Sequence, residues 1–467
     1  MTRKLKRESL EIIIKQFKME YFKKYRLEII LFLIAVSAHF FFFFLLLRNY
    51  GFDSFYITNF DAYEFFKLGR NLFQYQIFSN ELAPPFYLNS FRTIFYPLYL
   101  AFFQFFTNQA WLAIAFQNII ASFSIVLVYR IGRLIINNNK ISFLAALIFA
   151  LDPLQNYWSN LTEPDTLLVF LLLVVNFYFI KYWQGGSRKN LYLTALFLGL
   201  AALTKPVALY YPIFFCAFIF IGKLSKKEWQ SALKPIIVFV FIFFLTISPW
   251  LFRNWYHFKV IGISSITGEN LFRYAGEVGH YPEEISDYVK NAPYHYKIRD
   301  IRAQSTIAAL AIKRIFEHPL IFARSQILGM IKFFIDDGHK EAYYNQHYKA
   351  MFFYDTPEPE NKPDITQGIL KGDFSVIPEA FKNLNRYMVI YFFSKIIYIL
   401  FYIIAAFGLA KAYKSDKKLF AIFLLFVVLF LYIAAAAGPW GASVRYRLPV
   451  LPGMLLIFFY GFFHRVK

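Results

Sequence analysis

The sequence predicts an all-α polytopic membrane protein, a bundle of about ten transmembrane helices with a loop domain on its outer face. Three observations predict it. Hydrophobic residues make up 58% of the 467, against roughly 45–50% in soluble domains. Charged residues are only 17%, and they cluster between long apolar runs instead of alternating with them. Many of those runs approach the ~20 residues that a helix rising ~1.5 Å per residue needs to cross a ~30 Å hydrocarbon core. With a mean hydropathy of +0.44, an ordinary soluble domain is excluded.

Ten spans are expected, at residues 29–47, 111–130, 141–157, 164–183, 191–204, 206–221, 235–251, 387–410, 419–437 and 448–463. Residues 93–106 form a shorter apolar stretch carrying Pro97, and read as a re-entrant or juxtamembrane helix. The first run follows a charge-rich tail, residues 1–28, and lacks a small-residue cleavage site, so it is expected to remain as an anchor. The chain thus divides into a basic cytoplasmic tail (1–28), an N-terminal bundle (29–252) with a first outer loop (48–92), an outer segment (253–386) and C-terminal helices (387–467). Within the outer segment, residues 303–317 and 320–334 are helical candidates and 356–363 reads as a loop. No internal repeat suggests a duplicated transporter fold.

Fifty Lys and Arg against 29 Asp and Glu give a formal charge of +21. In a soluble protein that excess would point to nucleic acid; in a polytopic one it serves topology, and no nucleic-acid partner is expected. The tail carries Arg3, Lys4, Lys6 and Arg7 among others. Basic residues recur at Arg133 and Lys140, at Arg188 and Lys189, at Lys223 to Lys234, at Lys411 to Lys418, and at Arg465 and Lys467. The turn at 159–163 has none. Both termini are therefore expected on the cytoplasmic side, as an even span count requires, with the protein multi-pass in the plasma (inner) membrane. Cys216 is the single cysteine and lies in an apolar run, so neither an intramolecular disulfide framework nor a cysteine zinc site is available.

Polar groups at membrane depth are functional candidates because they are costly to keep there. Two are carboxylates. Asp61, in Asn59-Phe60-Asp61-Ala62-Tyr63, lies shortly after the first span, and Glu163, in Leu161-Thr162-Glu163-Pro164-Asp165, lies at the mouth of the fourth. Each reads either as a helix-capping or solvated acid or as half of a general base and its orienting partner. Tyr63 is counted with the substrate-binding candidates.

The cations form a second group. Lys205, in Leu203-Thr204-Lys205-Pro206, follows an apolar run of 14 residues, which as helix reaches only ~21 Å. It is therefore expected below the outer interface, inside a cavity, with a lipid phosphate as its natural anion, or else snorkelling to the headgroups. Arg445 and Arg447, in Ser443-Val444-Arg445-Tyr446-Arg447-Leu448-Pro449, stand before the last span and read as a bidentate phosphate grip or as interfacial anchors. Lys395, in an apolar stretch, is a further candidate for the same cavity. Arg253, in Pro249-Trp250-Leu251-Phe252-Arg253-Asn254, reads equally as anchor or substrate contact. His257, His280, His295, His318, His339 and His347 show no metal spacing, so no metal or other cofactor is indicated. There is no phosphate-cradling glycine loop, nucleotide fingerprint or nucleophile elbow.

Six motifs in order carry a resemblance: Asp61 in the first outer loop, Tyr96-Pro97-Leu98-Tyr99, Thr162-Glu163-Pro164, Leu203-Thr204-Lys205-Pro206, Pro249-Trp250-Leu251-Phe252-Arg253-Asn254 and Arg445-Tyr446-Arg447-Leu448-Pro449. From about Tyr56 to Phe463 the chain resembles the GT-C glycosyltransferases of the protein O-mannosyltransferase-like group, whose bacterial members include aminoarabinose, galacturonic acid and mannose transferases. It departs in placing its outer segment between the seventh and eighth spans and in lacking an acid directly beside Asp61, unlike the protein mannosyltransferases. The resemblance implies a GT-C-like bundle and an inverting transfer from a polyprenyl-phosphate sugar donor, on the outer face, to a hydroxyl of a glycolipid, polysaccharide or protein acceptor. Asp61 would serve as base or orienting acid, Lys205, Arg445 and Arg447 would hold the lipid phosphate, and Glu163 would orient the sugar or a basic side chain. As a base, Asp61 would need burial and neighbours to raise its pKa, or would act late in an oxocarbenium-like transition state. The competing readings are a structural or assembly subunit whose outer domain binds a partner and, ahead of it, a transporter or flippase for a lipid-linked sugar. The latter requires polar residues continuing to the cytoplasmic side, whereas the spans below Lys205 are almost wholly apolar.

Overall fold

A computed structural model of the chain describes residues 2–56, 60–224, 228–274, 299–336, 375, 378, 386–438 and 443–464. Among them are α-helices and short 3-10 turns and no strands, so the fold is an all-α membrane bundle. Among the described residues, seven helical segments are long and apolar enough to cross a membrane: Lys24–Tyr50, Trp111–Ile136, Asp165–Trp183, Pro206–Leu224, Trp229–Phe258, Phe393–Ser415 and Lys417–Ala437.

The helices are α1 (Thr2–Tyr50), α2 (Phe60–Tyr75), α3 (Phe95–Gln104), α4 (Trp111–Ile136), α5 (Asn139–Ala150), α6 (Pro153–Trp158), α7 (Asp165–Trp183) and α8 (Arg188–Thr204). They continue with α9 (Tyr211–Leu224), α10 (Trp229–Phe258), α11 (Ile266–Tyr274), α12 (Gln304–Glu317), α13 (Pro319–Ile335), α14 (Arg386–Ser415), α15 (Lys417–Ala437) and α16 (Leu451–Phe463). The centre of the bundle is α4, α7 and α8, with α1 and α5 against α4, α10 against α8, and α14 and α5 against α16. Small residues let helices close up: Gly199 of α8 faces Thr246 of α10, and Gly408 of α14 faces Gly461 of α16.

Three expected spans differ from the helices that form. The run 141–157 is not one helix. Asp152 accepts from the backbone N–H groups of Leu154 and Gln155 and, with Pro153 at the first helical position, starts the separate helix α6. The last expected span, 448–463, begins as a helix only at Leu451, after a 3-10 turn over Val444–Arg447. Arg253 does not open the outer segment but lies inside α10, which runs on to Phe258 despite Pro235 and Pro249. Helix α3 has 10 residues, about 15 Å, too short to cross, and packs against α2. The loop expected at 356–363, together with His280, His295, His339, His347, Arg465 and Lys467, lies outside the described residues.

The basic turns share one end of the bundle. Arg130 pairs with Glu28 at 2.5 Å, Gln184 donates to the Leu134 carbonyl at 3.0 Å, Lys140 sits 4.4 Å from the Phe463 ring centroid, and Lys411 donates to the His464 carbonyl at 2.8 Å. Asp61, Glu163, Lys205 and Arg445 meet at the opposite end, called here the site end.

Candidate functional site

Two turns and one short helix bring the carboxylates together. Asp61 occupies the first turn of α2, and Glu64, one turn on, falls on the same face. Glu163 is carried by the turn between α6 and α7, and a buried polar frame holds that turn. Gln117 of α4 donates to the carbonyls of Ser159 and Leu161, both at 2.9 Å, and accepts from the Tyr96 hydroxyl at 2.9 Å. Asn118 reaches Asn160 at 2.7 Å, and His39 lies 2.9 Å from the Ser159 hydroxyl. The Thr162 hydroxyl donates to the Phe55 carbonyl at 2.6 Å, tying the turn to the chain just after α1. The backbone carbonyls of Ser159 and Leu161 thereby find donors in a place where water cannot serve, while among the described residues the Asn118 amide oxygen is left without a partner.

Arginines then join the acids. Arg445 donates from Nη2 to Asp61 Oδ2 at 3.2 Å and from Nη1 to Glu163 Oε1 at 3.1 Å. Arg92 donates to Asp61 Oδ1 at 2.5 Å and grips Glu64 through Nε and Nη2 at 2.9 and 2.6 Å. Arg299 extends the chain of charge from Glu64, at 3.3 Å, to Glu269 of α11, at 3.8 Å. Beside this group Lys205 donates to Asp165 Oδ1 at 2.6 Å. Tyr446 links the two: its ring centroid lies 4.6 Å from the Lys205 ammonium and 5.2 Å from the Arg445 guanidinium. Trp158 covers Arg445 from another side, at 5.0 Å.

A cavity of about 540 Å³ opens next to the cluster. Asp165, Lys205 and Tyr446 form its polar end, while Val207, Tyr210, Tyr432 and residues 435–438 give it a largely apolar wall. Lys205 lines this cavity. Its resident anion, however, is Asp165, a residue of the quoted Thr-Glu-Pro-Asp stretch that the sequence reading left unassigned.

Electrostatics separates the two predicted acids. Burial raises the Asp61 pKa, but the charges of Arg92 and Arg445 and the hydrogen bonds they donate outweigh it and hold the carboxyl well below the usual range. The expectation that burial and neighbours raise Asp61 is therefore reversed, because two guanidiniums face it. Burial pushes Glu163 the other way. Arg445 and Lys205 oppose the rise, Asp61 and Asp165 add to it, and the group ends at about 7. Glu163 does not cap α7: Pro164 holds the cap position with no side-chain cap bond, and the Glu163 carboxylate turns to Arg445.

Four predicted residues fall elsewhere. Arg447 points away from Asp61 and donates to the carbonyls of Phe333, Phe334 and Asp336 and to the Tyr398 hydroxyl. Lys395 donates to the Ile335 carbonyl at 2.7 Å. Neither shares the cavity with Lys205, which corrects their assignment to one phosphate grip. Arg253 donates to the Asn89 carbonyl at 2.9 Å and lies among the rings of Trp250, Phe258 and Phe78, so it clamps the loop before α3 onto α10. Tyr63 stacks on Tyr56 at 6.1 Å and beneath the Lys67 ammonium. Of the residues that sequence reasoning missed, Glu64 was visible as the acid three positions after Asp61 and Asp165 as the neighbour of Glu163. Arg92 and Arg299 left no local signal.

The family model of the dolichyl-phosphate-mannose-protein mannosyltransferases matches residues 94–252. Among solved structures, ArnT from Cupriavidus metallidurans bound to undecaprenyl phosphate aligns over 91% of this chain and 77% of its own, at 12% identity and a TM-score of 0.39. No curated protein matches the sequence. Residues 94–252, about a third of the chain, are thus similar to the mannosyltransferase family to which the motifs pointed.

Proposed function

We propose that the protein is an integral membrane glycosyltransferase that moves a sugar from a polyprenyl-phosphate donor to an acceptor hydroxyl at the site end of the bundle. By the positive-inside rule, that end faces away from the cytoplasm. The observation that carries the reading is the side-by-side placement of an exposed-edge carboxylate held by two arginines and a lysine-ended, apolar-walled cavity. Asp61 keeps 28% of its side chain exposed, enough to meet a substrate, whereas Glu163 is 2% exposed. A prenyl chain suits the apolar wall, and an anionic phosphate suits the end where Lys205 stands.

In this reading the bond between the anomeric carbon and the phosphate oxygen breaks, the electron pair leaves with the phosphate, and the acceptor oxygen closes on the opposite face with inversion. Lys205 and Arg445 stabilise the charge that develops on the phosphate; one such preorganised contact is worth ~2.7–4 kcal/mol, or about 100- to 1000-fold in rate. Asp61 is too acidic to deprotonate a free alcohol. It suits a late, oxocarbenium-like transition state, in which the attacking hydroxyl becomes strongly acidic as its bond to carbon forms. Its fixed negative charge also stabilises the cationic sugar ring. Glu163 acts on Arg445, sharing its guanidinium with Asp61.

The test is a comparison in purified membranes. Wild type and Asp61→Asn are given radiolabelled polyprenyl-phosphate sugars, and label is followed into products that lack the prenyl chain. Transfer by wild type and its loss in a well-folded Asp61→Asn supports the reading. Movement of intact lipid-linked sugar across the membrane with no transfer overturns it in favour of a flippase.

A further inference from the structure

The C-terminal end of α13 is capped by two cations from other helices. Arg447 Nη1 donates to the Phe333 and Phe334 carbonyls at 3.1 Å each and Nη2 to the Asp336 carbonyl at 2.9 Å, while Lys395 Nζ donates to the Ile335 carbonyl at 2.7 Å. Four successive carbonyls at this helix end thus accept hydrogen bonds from side chains. At an ordinary helix end water does this. A guanidinium 2% exposed in addition to an ammonium indicates an end that water does not reach.

Three neighbouring helices give its depth. Helix α15 runs from the basic turns to the site end, and α13 lies antiparallel to it: Gln326 donates to the Ala435 carbonyl at 2.6 Å, whereas the Phe333 ring meets Phe430 at 5.4 Å. Phe430 is seven residues before the end of α15 at Ala437, about 10 Å into the membrane. Phe334 meets Tyr402 at 5.0 Å. Tyr402 lies sixteen residues into α14, which begins at Arg386, so this contact too is far from that helix's site-end start. Helix α16, with Arg447 just before it, has 13 residues and spans about 20 Å. Its far end is at the basic turns, so its start also lies about 10 Å below the site end.

We propose that α13 is a re-entrant membrane helix, entering from the site end and terminating about 10 Å inside the bilayer, with Arg447 and Lys395 as its buried cap and the acyl chains of that leaflet against its outer face. The inner stripe of Ser325, Gly329 and Phe333 is buried, the first two small enough for close approach to α15. Toward the end that enters the bilayer the outer face is apolar, with Ile327 57% and Ile331 39% exposed, and Leu431 of α15 is likewise 44% exposed. The exposed Leu320 and Arg324 belong to the part of the helix that by its length stands outside the hydrocarbon. Lys332 is also exposed. Helical side chains lean toward the N-terminus, here toward the membrane surface, so its ammonium snorkels to the headgroups. Phe322 and Gln326 make α13 one wall of the cavity that holds Lys205.

The proposal is independent of the chemistry at Asp61 and is tested without an activity assay. In a Cys216→Ala chain, Leu320→Cys, Ile327→Cys and Ile331→Cys are spin-labelled one at a time and reconstituted in phosphatidylethanolamine and phosphatidylglycerol vesicles. Collision with oxygen and with a water-soluble nickel chelate is measured by power saturation. Leu431→Cys supplies the lipid reference and Lys313→Cys the aqueous one. The expected result is an oxygen-to-nickel ratio that rises from 320 to 331 and at 331 matches Leu431→Cys, several-fold above Lys313→Cys. A ratio at 331 equal to that of Lys313→Cys overturns the proposal. Adding Arg447→Gln to Ile331→Cys is expected to raise nickel access at 331 while leaving it unchanged at 431; unchanged access at both overturns the capping role.

Discussion

Lys205 and Asp165 form an ion pair, Nζ to Oδ1 at 2.6 Å, at the polar end of the cavity, with Asp165 buried and Lys205 partly open to the space. A buried ion pair does not by itself explain stability, since the desolvation of both charges offsets much of their attraction. The pair makes more sense as a held charge. Asp165 holds the ammonium at the end of the cavity until another anion arrives to share it. In Asp165→Asn the ammonium depends on that anion. The added polyprenyl phosphate should therefore raise the melting temperature of Asp165→Asn by more than it raises that of wild type. Equal shifts in thermal-melting assays would show that Lys205 does not contact the lipid phosphate.

Asp61→Asn should lower transfer by about 100- to 10,000-fold, the range typical of a positioned acid or base. The fold should persist, because Arg92 keeps both bonds to Glu64 and Arg445 keeps Glu163. Initial rates paired with melting curves check both halves. A rate within a few-fold of wild type would remove Asp61 from the reaction.

The pH dependence should follow Glu163. Its carboxyl is raised to about 7, so below pH 7 it is largely neutral and above it ionised. The groups facing it are Arg445, Asp61, Asp165, Lys205, Arg92 and Tyr96. An ionised Glu163 competes with phosphate for Arg445, so the donor KM should be lowest below pH 7 and rise through it. The donor is a phosphodiester and does not titrate there. In Glu163→Gln the rise should vanish and KM stay low. A rise that persists in Glu163→Gln would assign the transition to another group.

Arg92 should matter first for stability. It is 8% exposed and bonds both Asp61 and the buried Glu64, and removing one partner of a buried pair costs about 3–5 kcal/mol. Arg92→Met should destabilise by that order. Arg92→Lys should recover only part of the loss, because one ammonium cannot reproduce the three bonds of the planar fork. Denaturation in detergent micelles measures both. Full recovery by lysine would mean that charge alone, not geometry, is at work.

The local and the non-local parts of this architecture were unequally legible. Apolar runs of span length and basic residues in alternate turns are properties of contiguous chain, and both reappear as helices whose basic ends meet. Glu163 and Asp61 were found because acids beside span ends stand out against apolar surroundings. The break at Asp152 was legible, since Asp152-Pro153 is a capping aspartate before a proline and the polar Gln155 and Asn156 follow, but a span read by its overall length runs over it. Arg92 was missed because it meets Asp61 across 31 residues of sequence, through the loop that Arg253 clamps.

Arg445 and Arg447 show where the division lies. Sequence alone determined that two arginines stand before a short last helix in a membrane bundle, since composition and run length are set by the solvent that each stretch must face. It assigned both to one phosphate. They occupy a 3-10 turn, in which each residue advances the side chain by about a third of a turn, so positions two apart point in different directions. The tertiary structure therefore decided that Arg445 faces Asp61 and Glu163 while Arg447 faces the end of α13. The orientation of a charge in a bundle depends on which helices pack beside its turn, and helix packing is not encoded in any one stretch of the chain.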